Sequence, residues 1–224
     1  MGSNAPAQSR SEDTRLLLLE AATTSFAYDG FHATSLKQIA RTAGVNQALI
    51  AYYFGNKQGL YLAVFEAIVG QIQAKVGPRI AVLQASLESN TDSDREALRG
   101  ALFSIVDAML DLLSGDESRE WALLITREQA SPTEAFEVIY NGFMGEMLGL
   151  ASQVILRLKP GIAEQEARLL AVLIMGQVLV FRVSRTAVLR HMVWSEYGED
   201  ELASSRMQLH RSISAWLAQS WGVS

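Results

Sequence analysis

A stretch near the N-terminus, GVNQALIAYYFGNK over residues 44–57, is dense in hydrogen-bonding side chains but has no catalytic partner beside it. A glutamine or asparagine amide can form two hydrogen bonds to an adenine edge, and an apolar side chain can contact a thymine methyl group. Hydroxyl, amide and lysine groups next to such residues typically contact phosphates. We therefore expect this region to bind double-stranded DNA through Thr34, Ser35, Asn46, Gln47, Ala48, Leu49, Tyr52, Tyr53 and Lys57.

A pair of short crossing helices is needed to present these side chains. The small residue Ala40 allows two helices to approach closely, and Gly44 suits the tight turn between them because glycine adopts left-handed backbone angles at little cost. At about 100° per residue, Ile50 and Phe54 face the neighbouring helix while Tyr52 faces away from it. The pattern predicts a helix-turn-helix whose second helix is exposed along one side.

The same pattern also fits proteins that do not bind DNA, because two short helices joined by glycine are common in all-α folds. Charge gives little further support. Residues 1 to 60 carry five basic and four acidic groups, whereas the rest of the chain carries 14 basic and 20 acidic groups, for a net charge of −5. The acidic surplus therefore lies outside the predicted DNA-binding region.

Helical patterns continue through the rest of the 224 residues, with few alternating β-branched runs. We predict an all-α fold of about nine or ten helices, with an N-terminal three-helix helix-turn-helix head and a larger C-terminal helical bundle. The predicted division is a disordered tail over 1–11, a DNA-binding domain over 12–56, and a ligand-binding and dimerisation domain over 57–224. Within the head, Ser35 with Gln38 predicts a capping box, and Leu18, Ala22 and Phe26 are expected to form the inner stripe of the first helix. Gly77-Pro78 is expected to interrupt or end the fourth helix, and later helices are expected over about 132–158 and 164–190.

Several kinds of site are not expected. The chain has no cysteine, its three histidines lack zinc-type spacing, and it contains no glycine-rich nucleotide loop or G-x-S-x-G motif. The longest apolar run, 169–181, is shorter than the roughly 20 residues of a membrane span. We therefore predict no metal, no cofactor, no enzymatic activity, no membrane partner and a cytoplasmic location.

Residues of about 15 to 65 resemble the DNA-binding domain of TetR-family transcriptional regulators. The matching stretches are LLEAATTSFAYDGFHATSLKQIARTAGV and ALIAYYFGNKQGLYLAVF. The family often has tyrosine where this chain has Ala51, so that contact is either missing or supplied by Tyr52. The stretch TREQASPTEAF, 126–136, resembles the C-terminal domain of the CecR-type subgroup.

The resemblance implies a homodimer that binds a palindromic operator, usually as a repressor released by a small-molecule effector. A pair of C-terminal helices from each subunit would form the dimer interface. The apolar middle of 164–190 and a stripe in the last helix agree with this, since burial on more than one side is expected there. The predicted interface residues are Leu169, Leu173, Val180, Leu209, Ile213 and Trp216.

An effector pocket would lie among the central helices. Polar side chains within apolar segments are the most informative candidates, because burying them without a partner costs about 1–3 kcal/mol. The predicted pocket residues are Phe103, Trp121, Arg127, Tyr140, Met144, Gln177 and Phe181. The alternative is that the aromatic and methionine residues are ordinary core, that Arg127 pairs with an acid or caps a helix, and that Gln177 bonds its dimer mate.

Two other functions stay open from the sequence alone. One is an enzyme with a helical body, which would require acid, base and nucleophile groups converging in a pocket. The other is a helical protein-interaction module with a vestigial helix-turn-helix.

Overall fold

Helix-forming sequence patterns cover nearly the whole chain, and the fold follows them. The computed structural model describes residues 5–88 and 94–218, which form eleven α-helices and one π-helical turn, with no β-strand in those ranges. The predicted all-α class is confirmed. The described residues divide into two compact units, one within Met1–Gln71 and Glu120–Gly142, the other within Ile72–Arg119 and Phe143–Ser224.

The first unit contains the predicted helix-turn-helix. It comprises α1 (Ala5–Ala33), α2 (Leu36–Thr42), α3 (Ala48–Phe54), the first part of α4 (Lys57–Glu88), most of α6 (Ser118–Ala130), α7 (Glu134–Ile139) and the start of a π-helical turn (Tyr140–Met144). Its core is built on the predicted α1 stripe, since Leu18, Ala22 and Phe26 are fully buried. The Phe26 ring packs edge-on against Tyr61 of α4, with ring centres 5.0 Å apart. These contacts fix α4 against α1.

The second unit is a helical bundle centred on α9. It comprises the rest of α4, α5 (Asp94–Ser114), α8 (Gly145–Leu158), α9 (Glu164–Val183), α10 (Arg185–Met192) and α11 (Glu199–Ala218). Helix α9 packs against α5, α8, α10 and α11. One side of α9 enters the core through Ala167, Ala171, Ile174 and Val178, all buried. A buried guanidinium also ties the unit together, because Arg182 donates to the carbonyls of Leu113, at 2.5 Å, and Gly115.

The N-terminal segment differs from the prediction of a disordered tail over 1–11. Helix α1 begins at Ala5, and Met1–Asn4 lie outside the described residues. Alanine, glutamine, glutamate and arginine are good helix formers, and Pro6 suits a first helical turn. The Ser11 hydroxyl also lies 2.9 Å from the Tyr53 hydroxyl, which connects this segment to α3.

Three later helix boundaries also differ from the expected ones. Helix α4 continues through Gly77-Pro78, where we predicted a break. The segment expected as one helix over 132–158 contains the π-helical turn, and the one expected over 164–190 is broken at Ser184. Helix formers on both sides of each break conceal it from a periodicity analysis. Close packing accompanies the π-helical turn, since a Cβ added at Gly142 would lie 2.8 Å from a methyl group of Val69.

No single helix in the described parts of the chain is long and apolar enough to cross a membrane. Helices α9 and α10 reach that length and composition only when taken together, and they are bent by 80°.

Candidate nucleic-acid interface and cavity

The turn between α2 and α3 has the predicted local geometry. Ser35 caps α2, its hydroxyl accepting a hydrogen bond from the Gln38 amide at 3.1 Å. Gly44 has φ +68°, and the next amide, of Val45, donates to the Ala40 carbonyl at 3.0 Å. On the inner side of α3, Ile50 is fully buried. These contacts hold α3 by one side only.

The opposite side of α3 is exposed. Asn46, Gln47 and Ala48 are exposed at its N-terminal end, and Leu49 is half-buried. The Asn46 side-chain oxygen accepts from the Ala48 amide at 2.9 Å and so starts the helix. Tyr52 is 77% exposed, so its ring and hydroxyl are accessible to a partner molecule. Asn46 and Gln47 are therefore accessible at the N-terminal end of α3, and Ala48 and Tyr52 along its outer side.

Three of the predicted phosphate contacts have partners within the chain. Thr34 is buried, and its hydroxyl lies 2.7 Å from the Gly30 carbonyl, so it fixes the α1–α2 junction. The Lys57 ammonium donates to the His32 carbonyl at 3.3 Å and lies over a phenylalanine ring. The Tyr53 hydroxyl pairs with Ser11. Lys57 and Tyr53 remain partly exposed, whereas Thr34 is not accessible to an external phosphate.

Two adjacent residues of α6 connect that helix to the head. The Arg127 guanidinium donates to the carbonyls of Phe26, at 2.6 Å, and Tyr28, at 3.3 Å. The Glu128 carboxylate, buried, accepts from the Tyr61 hydroxyl at 2.8 Å and from both the amide and the hydroxyl of Thr133, at 2.9 and 2.8 Å. Burial, followed by the hydrogen bond to the carboxylate, raises the pKa of Tyr61 well above its usual range. We call these contacts the α6 tie; sequence analysis missed them because the partners are distant along the chain.

The predicted pocket residues do not line one common cavity. Trp121, Arg127 and Tyr140 belong to the first unit, and Arg127 is occupied by backbone carbonyls. Phe103 stacks on the His210 ring, with centres 4.2 Å apart, and lines a groove of about 680 Å³. Met144 is half-buried at the end of the π-helical turn.

Gln177 and Phe181 do lie together, on the wall of a cavity of about 840 Å³ bounded by α9, α10 and α11. Sequence analysis missed the α10 and α11 residues around them because the break at Ser184 was not predicted. No lysine, arginine, aspartate or glutamate lines the cavity, and one lining residue is a histidine. The lining residues are Gln177, Val180, Phe181, Ser184, Ala187, Val188, His191, Met192, Trp194, Ser204, Ser205, Gln208, Leu209 and Ser212.

The predicted interface residues fall into two groups. Leu169, Leu173 and Val180 are 59%, 44% and 40% exposed, and Val172 and Val183 extend the same side of the helix. We call these five residues the α9 stripe. The α11 residues behave differently, since Leu209 and Ile213 are buried inside their own protomer and Trp216 is half-buried. A partner chain would therefore meet α9 side chains but not Leu209 or Ile213.

Among the described residues there is no cluster of three or more histidine, aspartate or glutamate side chains that could hold a metal ion.

Comparison with protein families identifies both ends of the chain. The model for "Bacterial regulatory proteins, tetR family" matches residues 18–64, and that for "HTH-type transcriptional dual regulator CecR, C-terminal domain" matches residues 95–218. The HTH-type transcriptional dual regulator CecR of Shigella flexneri is 28% identical over 211 residues, covering 92% of this chain and 94% of that protein. These relatives are transcriptional regulators rather than enzymes.

Solved structures share the fold. NalD of Pseudomonas aeruginosa, the secondary repressor of the MexAB-OprM multidrug efflux pump, superposes with a TM-score of 0.62 at 21% identity, covering 95% of this chain and 100% of that one. The transcriptional regulator FadR from Bacillus subtilis, solved in complex with stearoyl-CoA, gives 0.58 at 19% identity, with 88% and 96% covered. The family match of the head, the family match of the C-terminal part and the shared fold all indicate the same family. The chain belongs to the TetR family of DNA-binding transcriptional regulators, with a C-terminal domain of the CecR type.

Proposed function

We propose that this chain is a ligand-responsive repressor that binds a palindromic operator as a homodimer and leaves it when a small molecule binds. The observation that supports it most directly is the asymmetry of α3. Ile50 is fully buried on one side, while Tyr52 is 77% exposed on the other and Asn46 and Gln47 are exposed at the N-terminal end. A helix held in this way can lie in the major groove with amides against base edges.

Selection of bound DNA from a random double-stranded pool tests the DNA-binding part of the proposal. We expect enrichment of a palindrome whose half-sites are about one helical turn apart. Gln47→Ala should lower affinity for the enriched site by about tenfold or more and relax the preference at one position, because a lost two-bond base contact costs about 1–3 kcal/mol. Gln71→Ala, an exposed glutamine on α4, is the matched control.

Phosphate contacts should behave differently from base contacts. Lys57→Ala should weaken binding to all sequences similarly and reduce the salt dependence of binding by roughly one phosphate contact. A pool that yields no enriched sequence at low salt would contradict the proposal and favour the interaction-module alternative.

We propose that the homodimer forms through the α9 stripe. Its five apolar side chains lie on one side of a helix, and a twofold interface buries the same surface from both copies. Leu173→Glu should therefore give a monomer in analytical ultracentrifugation and weaken operator binding, because one head has lost its partner. Val82→Glu changes an equally apolar residue, 60% exposed on α4, and should leave the dimer intact.

Two proteins of the same fold support repression and release by an effector: NalD is a repressor, and FadR of Bacillus subtilis was solved in complex with stearoyl-CoA. A reporter placed behind the selected operator should be expressed less when the chain is present. Increased expression would instead indicate activation, while leaving the DNA-binding proposal standing. We place the protein in the cytoplasm, where the chromosomal operator would be.

A further inference from the structure

The cavity bounded by α9, α10 and α11 has the size of a small-molecule site. Ligand pockets typically measure about 300–1,000 Å³ and are mostly apolar with a few placed polar groups. This cavity is about 840 Å³, and its apolar wall includes Phe181, Val188, Trp194 and Leu209. The polar groups are the hydroxyls and amides of serine and glutamine side chains and the imidazole of His191.

One of these polar groups lacks a partner. The side-chain amide nitrogen of Gln177 is buried, and it makes no hydrogen bond within the described structure. A neighbouring hydroxyl, that of Ser205, already donates to the Glu201 carbonyl at 2.8 Å. Leaving a buried donor unsatisfied costs about 1–3 kcal/mol, so a bound acceptor at Gln177 would recover that energy. A ligand with a carbonyl, ether or hydroxyl oxygen would satisfy this donor.

The lining also restricts the charge of the ligand. It contains no lysine, arginine, aspartate or glutamate. Except beside the His191 imidazole, an ionised group moved from water into such surroundings would lose its hydration without gaining a counter-charge, which is strongly unfavourable. Uncharged molecules are therefore favoured over phosphates, sulfonates and carboxylates.

The aromatic side of the cavity is held in place by neighbouring groups. The Tyr197 hydroxyl donates to the Phe181 carbonyl at 2.8 Å, and the Tyr197 ring packs edge-on against Phe181 and Trp194. Trp194 follows Val193, which has left-handed backbone angles, φ +60° and ψ +35°. These angles are strained for a β-branched residue. They occur at the end of α10, where the Trp194 amide donates to the Leu189 carbonyl at 2.9 Å, and this helix end places Trp194 on the cavity wall.

The cavity and the proposed dimer surface use different sides of α9. Cavity residues Gln177, Phe181 and Ser184 are centred roughly 95° around the helix from the α9 stripe, and only Val180 belongs to both. A second copy seated on the stripe would therefore border the cavity rather than fill it.

We infer that this cavity binds an uncharged, amphipathic small molecule whose acceptor oxygen takes a hydrogen bond from the Gln177 amide. The inference rests on the proposed ligand response and places the effector between α9, α10 and α11. Its apolar part would lie against Phe181, Trp194 and Leu209.

Nile red, a neutral dye with apolar rings and a carbonyl acceptor, is a suitable probe. Its fluorescence should rise and saturate at one site per chain. Ala187→Trp, which fills the cavity from an exposed position on α10, should weaken binding by at least about tenfold, while Thr186→Trp, an exposed neighbour outside the lining, should not. Gln177→Leu should weaken binding about fivefold, the value of one net hydrogen bond. Anilinonaphthalene sulfonate should bind at least about tenfold more weakly than Nile red.

Equal dye binding by the two tryptophan variants would overturn the inference, as would tighter binding of the sulfonate. The inference is also overturned if Nile red does not bind and Ala187→Trp dissociates the dimer in ultracentrifugation. That result would mean that a second copy of the chain fills the cavity. Circular dichroism establishes that each variant is folded. Selection of bound DNA with the same proteins separates the two proposals. If no DNA sequence is enriched but the dye binds, only the proposed repressor function is contradicted. If a DNA sequence is enriched but the dye does not bind, only the proposed ligand site is contradicted.

Discussion

Removing the Glu128 carboxylate should destabilise the first unit strongly. Glu128→Ala eliminates three hydrogen bonds to a side chain that is only 4% exposed: one from Tyr61 and two from Thr133. Hydrogen bonds to charged groups contribute about 1.5–3 kcal/mol each, but they are not additive. Burying the carboxylate itself costs several kcal/mol in the wild type, and the substitution removes that cost. We expect a net loss of about 3 kcal/mol.

Urea unfolding followed by far-ultraviolet circular dichroism measures this loss. At about 2–4 °C per kcal/mol for a chain of this size, thermal unfolding should shift by about 6–12 °C. Glu128→Gln should lose only about 1 kcal/mol, because the amide oxygen can still accept from Thr133 and the amide nitrogen can donate to the Tyr61 oxygen. A double-mutant cycle with Tyr61→Phe isolates the Tyr61–Glu128 contribution, expected at about 1 kcal/mol.

Glu66→Ala, an exposed carboxylate on α4, should change stability by less than about 0.5 kcal/mol. If Glu128→Ala loses no more than this control, the three bonds contribute nothing net and the α6 tie does not stabilise the head. If Glu128→Gln loses as much as Glu128→Ala, charge rather than hydrogen-bond geometry is responsible.

Three further predictions concern other buried contacts. Gly142→Ala should lose about 1–3 kcal/mol in urea unfolding, since its Cβ would lie 2.8 Å from an α4 valine methyl, whereas Gly149→Ala, with open space around it, should be neutral or stabilising. Burial raises the pKa of Tyr61, so as the pH rises the tyrosine loses its proton in the unfolded chain before it does so in the folded one. The free energy of unfolding should therefore be unchanged below about pH 10 and decrease above it, and Tyr61→Phe should reduce this decrease in unfolding measured against pH. Arg182→Ala should lose about 2–4 kcal/mol, because it removes a buried side chain that donates to two backbone carbonyls. Breaking the exposed Arg168 pair should cost at most about 0.5 kcal/mol in thermal unfolding.

The local structure of the head could be predicted because its determinants are close together in the sequence. The Ser35 cap, the Gly44 turn and the burial of Ile50 each depend on residues within a few positions, and all three are confirmed. Thr34 illustrates the limit. An exposed and a buried threonine look alike in sequence, and only the fold shows that this hydroxyl reaches carbonyls of α1.

Hydrogen-bond partners that are distant in the sequence were less predictable, and so was whether an apolar residue faces the core or a partner subunit. The partners of Arg127 and Glu128 in α1 and α4 lie 67 to 101 residues away, and no local pattern specifies them. Periodicity marks Leu209 and Ile213 as apolar-facing, but it does not distinguish the protomer's own core from a partner surface. Of the seven predicted pocket residues, only Gln177 and Phe181 line this cavity. The helix break that supplies its other walls leaves no change in composition, so the sequence did not indicate them.

The route of the chain between its two compact units has a practical consequence for domain exchange. The backbone passes from one unit to the other at 71/72, 119/120 and 142/143, so no single cut separates them. A head excised at residue 71 would lose Arg127 and Glu128, leaving Phe26, Tyr28 and Tyr61 without their α6 partners. A chimaera that grafts new operator specificity onto this body should therefore transplant 120–142 with the donor's head, or retain the native scaffold and alter only α3.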